Sequence, residues 1–109
     1  LVNASELDTE LIMRPLRNTE RVLKNAAVDK ILEKEKSLGD KLQIQDIFGE
    51  VAGVYPKIMK EGTMDAGAWS CGMVAGLIHD IPTCKELIER IISDAEEIIN
   101  NRLNSARTA

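Results

Sequence analysis

His79 and Asp80 are adjacent, and a His–Asp pair is the combination from which an oriented general base is built. The pair closes an apolar stretch just ahead of the Ile81-Pro82 break. A histidine there more simply offsets the negative end of a helix dipole, and that structural role is the expected one. Cys71 and Cys84 form no CxxC and are expected to act as small buried apolar side chains rather than as a redox pair. One histidine and two cysteines give too few good ligands for a structural zinc, so no metal site is expected. Gly62, Gly67, Gly72 and Gly76 lack the GxGxxG or GxxxxGKS/T order that cradles a nucleotide phosphate. Their expected use is close packing, with the alternative of a backbone that passes near a flat cofactor ring. Met59, Met64 and Met73 read as gap fillers, and the runs Glu33–Lys36 and Asp94–Glu97 as solvated helix faces. Nothing in the chain brings a nucleophile, a base and oxyanion donors together, so no catalytic residue is assigned.

The elements that must position these residues are mostly helical. Thr9–Met13 is a short apolar run that suits a strand, ended by Pro15, which has no N–H for a ladder. Asn18 or Thr19 offers an N-cap for a helix carrying Val22, Leu23, Ala26, Ala27, Ile31 and Leu32. Its start lies at Thr19 or near Ala26, and Gly39 is its stop. Asp40 and Gln43 have the outline of a capping box. Over Ile44–Lys60 a helical spacing is interrupted by Gly49, Gly53 and Pro56, which predicts short helical pieces joined by turns. Glu61–Gly67 reads as a loop, and Ala68–His79 as a small-residue helix with Gly72 and Gly76 on one face. Pro82 precedes a Thr83–Glu86 capping box. From there Leu87, Ile88, Ile91, Ile92, Ala95, Ile98, Ile99 and Leu103 form the clearest apolar stripe of the chain, a helix of about five turns. The stripe is expected to pack on Ala68–Ile78 in one core. Two segments result: 1–66, a helical small or lid domain with a short strand near 9–13, and 67–109, a turn, the small-residue helix and the long amphipathic helix.

Composition narrows the function classes. The chain has 109 residues, 14 Lys plus Arg against 18 Asp plus Glu, a net charge of −4 and 44% apolar residues, as a folded domain requires. The acidic balance and three aromatic residues (Phe48, Tyr55, Trp69) argue against a nucleic-acid surface. No apolar run approaches the ~18 residues of a membrane span, and no signal-peptide pattern opens the chain, so a cytoplasmic protein without a membrane partner is expected. The start at Leu1 rather than Met suggests a piece of a longer or processed chain. A complete (β/α)8 barrel is excluded, since it needs about 200 residues or more.

Two stretches carry a family resemblance. Leu11-Ile12-Met13-Arg14-Pro15-Leu16-Arg17-Asn18-Thr19 with Arg21-Val22-Leu23-Lys24-Asn25 resembles the C-terminal third of the nitronate monooxygenases, formerly called 2-nitropropane dioxygenases. So does Gly62-Thr63-Met64-Asp65-Ala66-Gly67-Ala68-Trp69-Ser70-Cys71-Gly72-Met73-Val74-Ala75-Gly76-Leu77-Ile78, continued by His79–Thr83 and the amphipathic helix. The flavin-dependent enoyl-ACP reductases are close relatives and share the pattern. The resemblance spans about Thr9 to Leu103 and implies the C-terminal portion of an FMN-binding TIM-barrel enzyme: a small second domain plus the closing barrel helix, mainly α with at most one or two short strands. It implies that Leu1 follows the barrel's phosphate-binding segment, and that the family's catalytic histidine lies upstream, a role His79 does not match. Trp69, Ser70, Gly72 and Met73 are then the cofactor-facing or substrate-facing group. Met73 stands where the family often has Gln, so it packs rather than donating a hydrogen bond.

The implied reaction of the full-length protein is oxidation of an alkyl nitronate by FMN and dioxygen to a carbonyl compound and nitrite. The alternative is an enoyl-ACP reduction driven by NAD(P)H. The piece alone is not expected to be active. A reading from another class is a helical interaction module, with the Leu87–Ile99 stripe as a partner groove or dimer seam. Self-association is expected of an isolated piece that exposes such a stripe.

Overall fold

A computed structural model describes residues 1–108 of the chain. It is mostly helical with one two-stranded sheet, and it divides into two compact units, Leu1–His79 and the residues from Asp80 onward.

In the first unit a short turn at Glu6–Asp8, closed by reciprocal hydrogen bonds between Ser5 and Asp8, leads into strand β1 (Thr9–Ile12). Strand β2 (Glu20–Leu23) pairs antiparallel with it in the register Thr9 with Leu23 through Ile12 with Glu20. Alternation turns Ile12 and Val22 into the core, and the buried Thr9 hydroxyl accepts a hydrogen bond from the Arg21 guanidinium at 2.9 Å. At the end of β1, Met13 has φ +61°, a left-handed backbone uncommon in a non-glycine residue. Its N–H donates to the Glu35 carboxylate, which ties the hairpin to the next helix.

Val22 and Leu23 therefore lie in a strand, not in the expected helix. Helix α1 (Ala26–Leu38) begins at the later of the two sequence expectations, capped by Asn25 rather than Asn18 or Thr19. Cross-strand pairing with β1 overrides the apparent helical spacing of these residues. Gly39 ends α1 with φ +51°, as its sequence position predicts. The expected Asp40 box is not formed. Asp40 sits in a single turn (Gly39–Lys41), Leu42 turns into the core, and the capping carboxylate is Asp46, which accepts the Gln43 N–H at 2.8 Å. The pieces that follow are short, as expected: a turn at Ile44–Ile47, then α2 (Phe48–Val51) and α3 (Tyr55–Glu61).

Two clusters make the core of this unit. Ile12, Met13, Val22, Val28, Ile31, Leu42, Ile47 and Ala68 form the first; Val54, Ile58, Trp69, Cys71 and Ala75 form the second.

The small-residue helix expected over Ala68–His79 is absent. Residues 68–72 are extended, and only Met73–Leu77 forms a 3₁₀ turn. Gly72 and Gly76 thus share no helix face, and exposed His79 has no helix end to cap. The extended course satisfies its backbone on the free edge of β2. The Leu23 N–H donates to the Trp69 carbonyl at 3.3 Å and the Cys71 N–H to the Arg21 carbonyl at 3.1 Å, around a bridge between Val22 and Ser70.

The second unit is a helix, α4 (Cys84–Glu97), continued by a wider-turned stretch, Ile98–Leu103, and a last turn, α5 (Asn104–Thr108). The expected box is present: the Glu86 N–H donates to the Thr83 hydroxyl at 3.2 Å, and the Thr83 N–H to the Glu86 carboxylate at 2.8 Å. Asp80 pairs with Arg90 at 3.0 Å. The stripe residues Leu87, Ile88, Ile91, Ile92, Ile98, Ile99 and Leu103 are all exposed, where buried side chains were expected. Cys84 is exposed as well, against the expectation that both thiols are buried; Cys71 is buried. No helix among the described residues is long and apolar enough to cross a membrane.

Candidate functional site

The extended segment Ala68–Gly72 is held at several points, and each anchor comes from a different element. Upstream, Asn25 acts twice. Its side-chain oxygen accepts the Val28 N–H at 2.9 Å as the cap of α1, while its amide nitrogen donates to the carbonyls of Met64 at 2.9 Å and Gly67 at 3.0 Å. Asp65 reciprocates by accepting the Ala26 N–H at 2.9 Å. The loop is thus fastened to the N-terminus of α1.

Gly67 then threads against α2 and its exit. A Cβ at this position would lie 2.3 Å from Val54 Cγ1 and 2.7 Å from the Glu50 carbonyl oxygen, so only glycine fits. The next N–H, of Ala68, donates to that same carbonyl at 2.7 Å. Glu50 is itself held by Lys34 of α1 at 3.4 Å.

The four residues expected to face a cofactor or substrate lie in one short run, divided by Cys71, and are not equivalent. The Trp69 ring is buried among Val54, Ile58, Cys71 and Ala75, and its Nε1 finds no hydrogen-bond partner among the described residues. Ser70 is exposed, but its hydroxyl is engaged. It donates to the Glu20 carboxylate at the start of β2 and lies 3.0 Å from the Tyr55 hydroxyl at the start of α3; the Ser70 N–H donates to that same Tyr55 oxygen at 3.0 Å. Gly72 and Met73 carry the open surface. A Cβ at Gly72 would meet no atom closer than Val74 Cγ1 at 3.7 Å, and Met73 is 52% exposed. The close approach that glycine was expected to serve is found within this chain at Gly67 and at Gly76, where a Cβ would meet the Glu6 backbone nitrogen at 2.9 Å.

Tyr55, Glu20 and Asn25 were not singled out by sequence reasoning. They are far from Ser70 and Gly67 along the chain, and no local pattern connects them. Among the described residues no group of three or more His, Cys, Asp or Glu side chains is placed to hold a metal ion.

Comparison with known proteins places this geometry in context. No family model matches the chain. Two curated relatives match a stretch of 49 residues, 41% of this chain and 14% of each relative. Both are named (3aS,4S,5R,7aS)-5-hydroxy-7a-methyl-1-oxo-octahydro-1H-indene-4-carboxyl-CoA dehydrogenase; that of Mycobacterium tuberculosis is 48% identical and that of Rhodococcus jostii 51%. The structure of FabK from Thermotoga maritima superposes with a TM-score of 0.75 at 27% identity, covering 95% of this chain and 32% of FabK. A FabK variant, M276A, gives a TM-score of 0.68 at 25% identity. The chain thus has the fold of about a third of FabK and spans about a seventh of the curated relatives it matches.

Proposed function

We propose that this chain is part of a flavin-dependent oxidoreductase acting on a thioester, of the enoyl-ACP reductase type, and that its segment Ser70–Met73 lies along the flavin and substrate site. The observation that carries this reading is the likeness to FabK over 95% of the chain. It favours reduction with NAD(P)H over the nitronate oxidation that the sequence resemblance put first. The curated relatives point the same way, since their name describes a dehydrogenase of a carboxyl-CoA. A carboxyl-CoA is a thioester, as an enoyl-ACP is, whereas an alkyl nitronate is not.

The residues present fit one wall of a flavin site. Gly72 leaves open space where a side chain would stand, and the exposed Met73 and Val74 offer apolar surface to a flat ring. A flavin held there would supply the electron-pair transfer between donor and acceptor. This chain's part is to shape and dry that wall: Met73 packs, Gly72 admits close approach, and Trp69, buried in the second cluster, keys the segment into the core. The helix from Cys84 serves as the closing barrel helix, its exposed stripe covered by the rest of the enzyme.

The test uses the full-length protein that contains this chain. Bound flavin is expected on purification, and anaerobic NAD(P)H should bleach it whereas an alkyl nitronate should not. Bleaching by the nitronate alone returns the reading to a monooxygenase. Gly72→Ala is the sharper probe of position: it should leave the melting temperature unchanged and lower flavin affinity. Unchanged affinity removes this segment from the site.

A further inference from the structure

We infer that Tyr55 and Glu20 are positioning residues for the cofactor-facing segment, a clasp that closes on Ser70. The inference rests on the proposed function in one respect, namely that the segment beyond Ser70 meets the flavin.

The geometry assigns every hydrogen in the clasp. An ionised carboxylate only accepts, so the Ser70 hydroxyl must donate to Glu20. With its single hydrogen used, Ser70 Oγ can only accept from Tyr55, whose hydroxyl lies 3.0 Å away. The Tyr55 oxygen in turn accepts the Ser70 N–H at 3.0 Å. One orientation of each hydroxyl satisfies all three bonds, and Ser70 is gripped by both backbone and side chain. The grip joins three elements: the start of β2, the start of α3 and the extended edge segment.

Its location explains why it is needed. Upstream of Ser70 the segment is fixed by Asn25, by the Glu50 carbonyl and by the burial of Trp69; Cys71 makes the last backbone bond to β2. Gly72, Met73 and Val74 are exposed, Gly72 carries no side chain to seat the stretch, and the next anchor is Ala75, buried in the second cluster. The exposed stretch Gly72–Val74 is therefore held on one side at Ser70 and Cys71 and on the other at Ala75, and Ser70 sets the direction in which it leaves the edge. Tyr55 is about half exposed and Pro56 follows it in the first turn of α3, so the ring stands on a stiff helix start rather than on a mobile loop.

The experiment compares wild type with Tyr55→Phe and Glu20→Ala in the full-length protein. Amide hydrogen exchange is read at Ser70–Met73 and, as the check on folding, across α1; flavin affinity is read by fluorescence titration. The expected result is exchange at Ser70–Met73 faster by about 3–10-fold in each variant, unchanged protection in α1, and flavin affinity lowered several-fold. Glu20→Gln keeps an acceptor oxygen and should restore most of both readouts. Unchanged exchange at Ser70–Met73 overturns the clasp. Faster exchange with wild-type flavin affinity overturns its role at the cofactor. A wild-type protein that binds no flavin overturns the proposed function itself, and is recognised before any variant is compared.

Discussion

Leu1–His79 and the helix from Cys84 use their isoleucines in opposite ways. In the first unit Ile12, Ile31 and Ile47 are fully buried, although none sits in a strongly patterned stretch. In the helix, Ile88, Ile91, Ile92 and Ile99 stand in the best-patterned stripe of the chain and are each more than half exposed. Periodicity fixes which residues share a face; it does not fix what the face meets. The hairpin and α1 find partners within their own unit, whereas the stripe has none among the described residues of its unit.

The contrast can be tested by equal cuts on both sides. Ile31→Ala should destabilise the first unit by about 2–5 kcal/mol, because the methyls leave a cavity that packed neighbours cannot fill. Ile91→Ala should change the stability of this chain by no more than about 0.5 kcal/mol. Denaturant unfolding of both variants checks this, and equal losses would mean the stripe is already packed. Glycines give the next contrast. Gly67→Ala drives a methyl into Val54 and the Glu50 carbonyl and should cost about 3 kcal/mol or more. Gly72→Ala meets only ordinary contact and should be close to neutral for the fold.

Asn25→Ala follows in size, at about 1–3 kcal/mol, since it uncaps α1 and frees the Met64 and Gly67 carbonyls together. Its signature is local: exchange should rise at Val28 and across Asp65–Ala68 before it rises in the strands. A pH-dependent effect is expected at Thr83. The Thr83 hydroxyl, and after it the Thr83 N–H, hold the Glu86 carboxyl below its ordinary value of 4.5. A lowered carboxylate pKa stabilises the folded helix start above pH 4.5, and that contribution is lost as the pH falls through the lower folded value. Thr83→Ala should move the Glu86 titration back toward 4.5 and flatten the acid loss of helicity. Carboxyl chemical shifts followed against pH would show this; an unmoved Glu86 would mean the hydroxyl has no part in the shift.

The sequence made legible those features whose cause lies within a few residues. The Thr83–Glu86 box, the stop at Gly39 and the broken pieces over Ile44–Lys60 depend on caps, φ and spacing, and all are present. Thr9–Ile12 was legible as a strand because Pro15 follows it. Val22–Leu23 and Ala68–His79 were misread for one shared reason. Each looks helical in isolation, and each becomes extended by hydrogen-bonding to a neighbour distant in sequence: β2 to β1, and the 68–72 segment to β2. The candidate site divides in the same way. The run Trp69–Met73 could be picked out as a unit, but its internal order could not: that Trp69 is buried, Ser70 clasped, and only Gly72 and Met73 open.

By itself the sequence determined the mainly helical class, the Thr83–Glu86 cap, the Gly39 stop and the amphipathic stripe. Tertiary structure alone decided that β2 lends its free edge to residues 68–72, that Gly67 rather than Gly72 is the crowded glycine, and that Tyr55 and Glu20 meet at Ser70. The physical reason is that a cap or a helical stripe is settled by neighbours three or four residues away. A sheet edge, a filled cavity or a three-element clasp exists only once distant segments have been brought together.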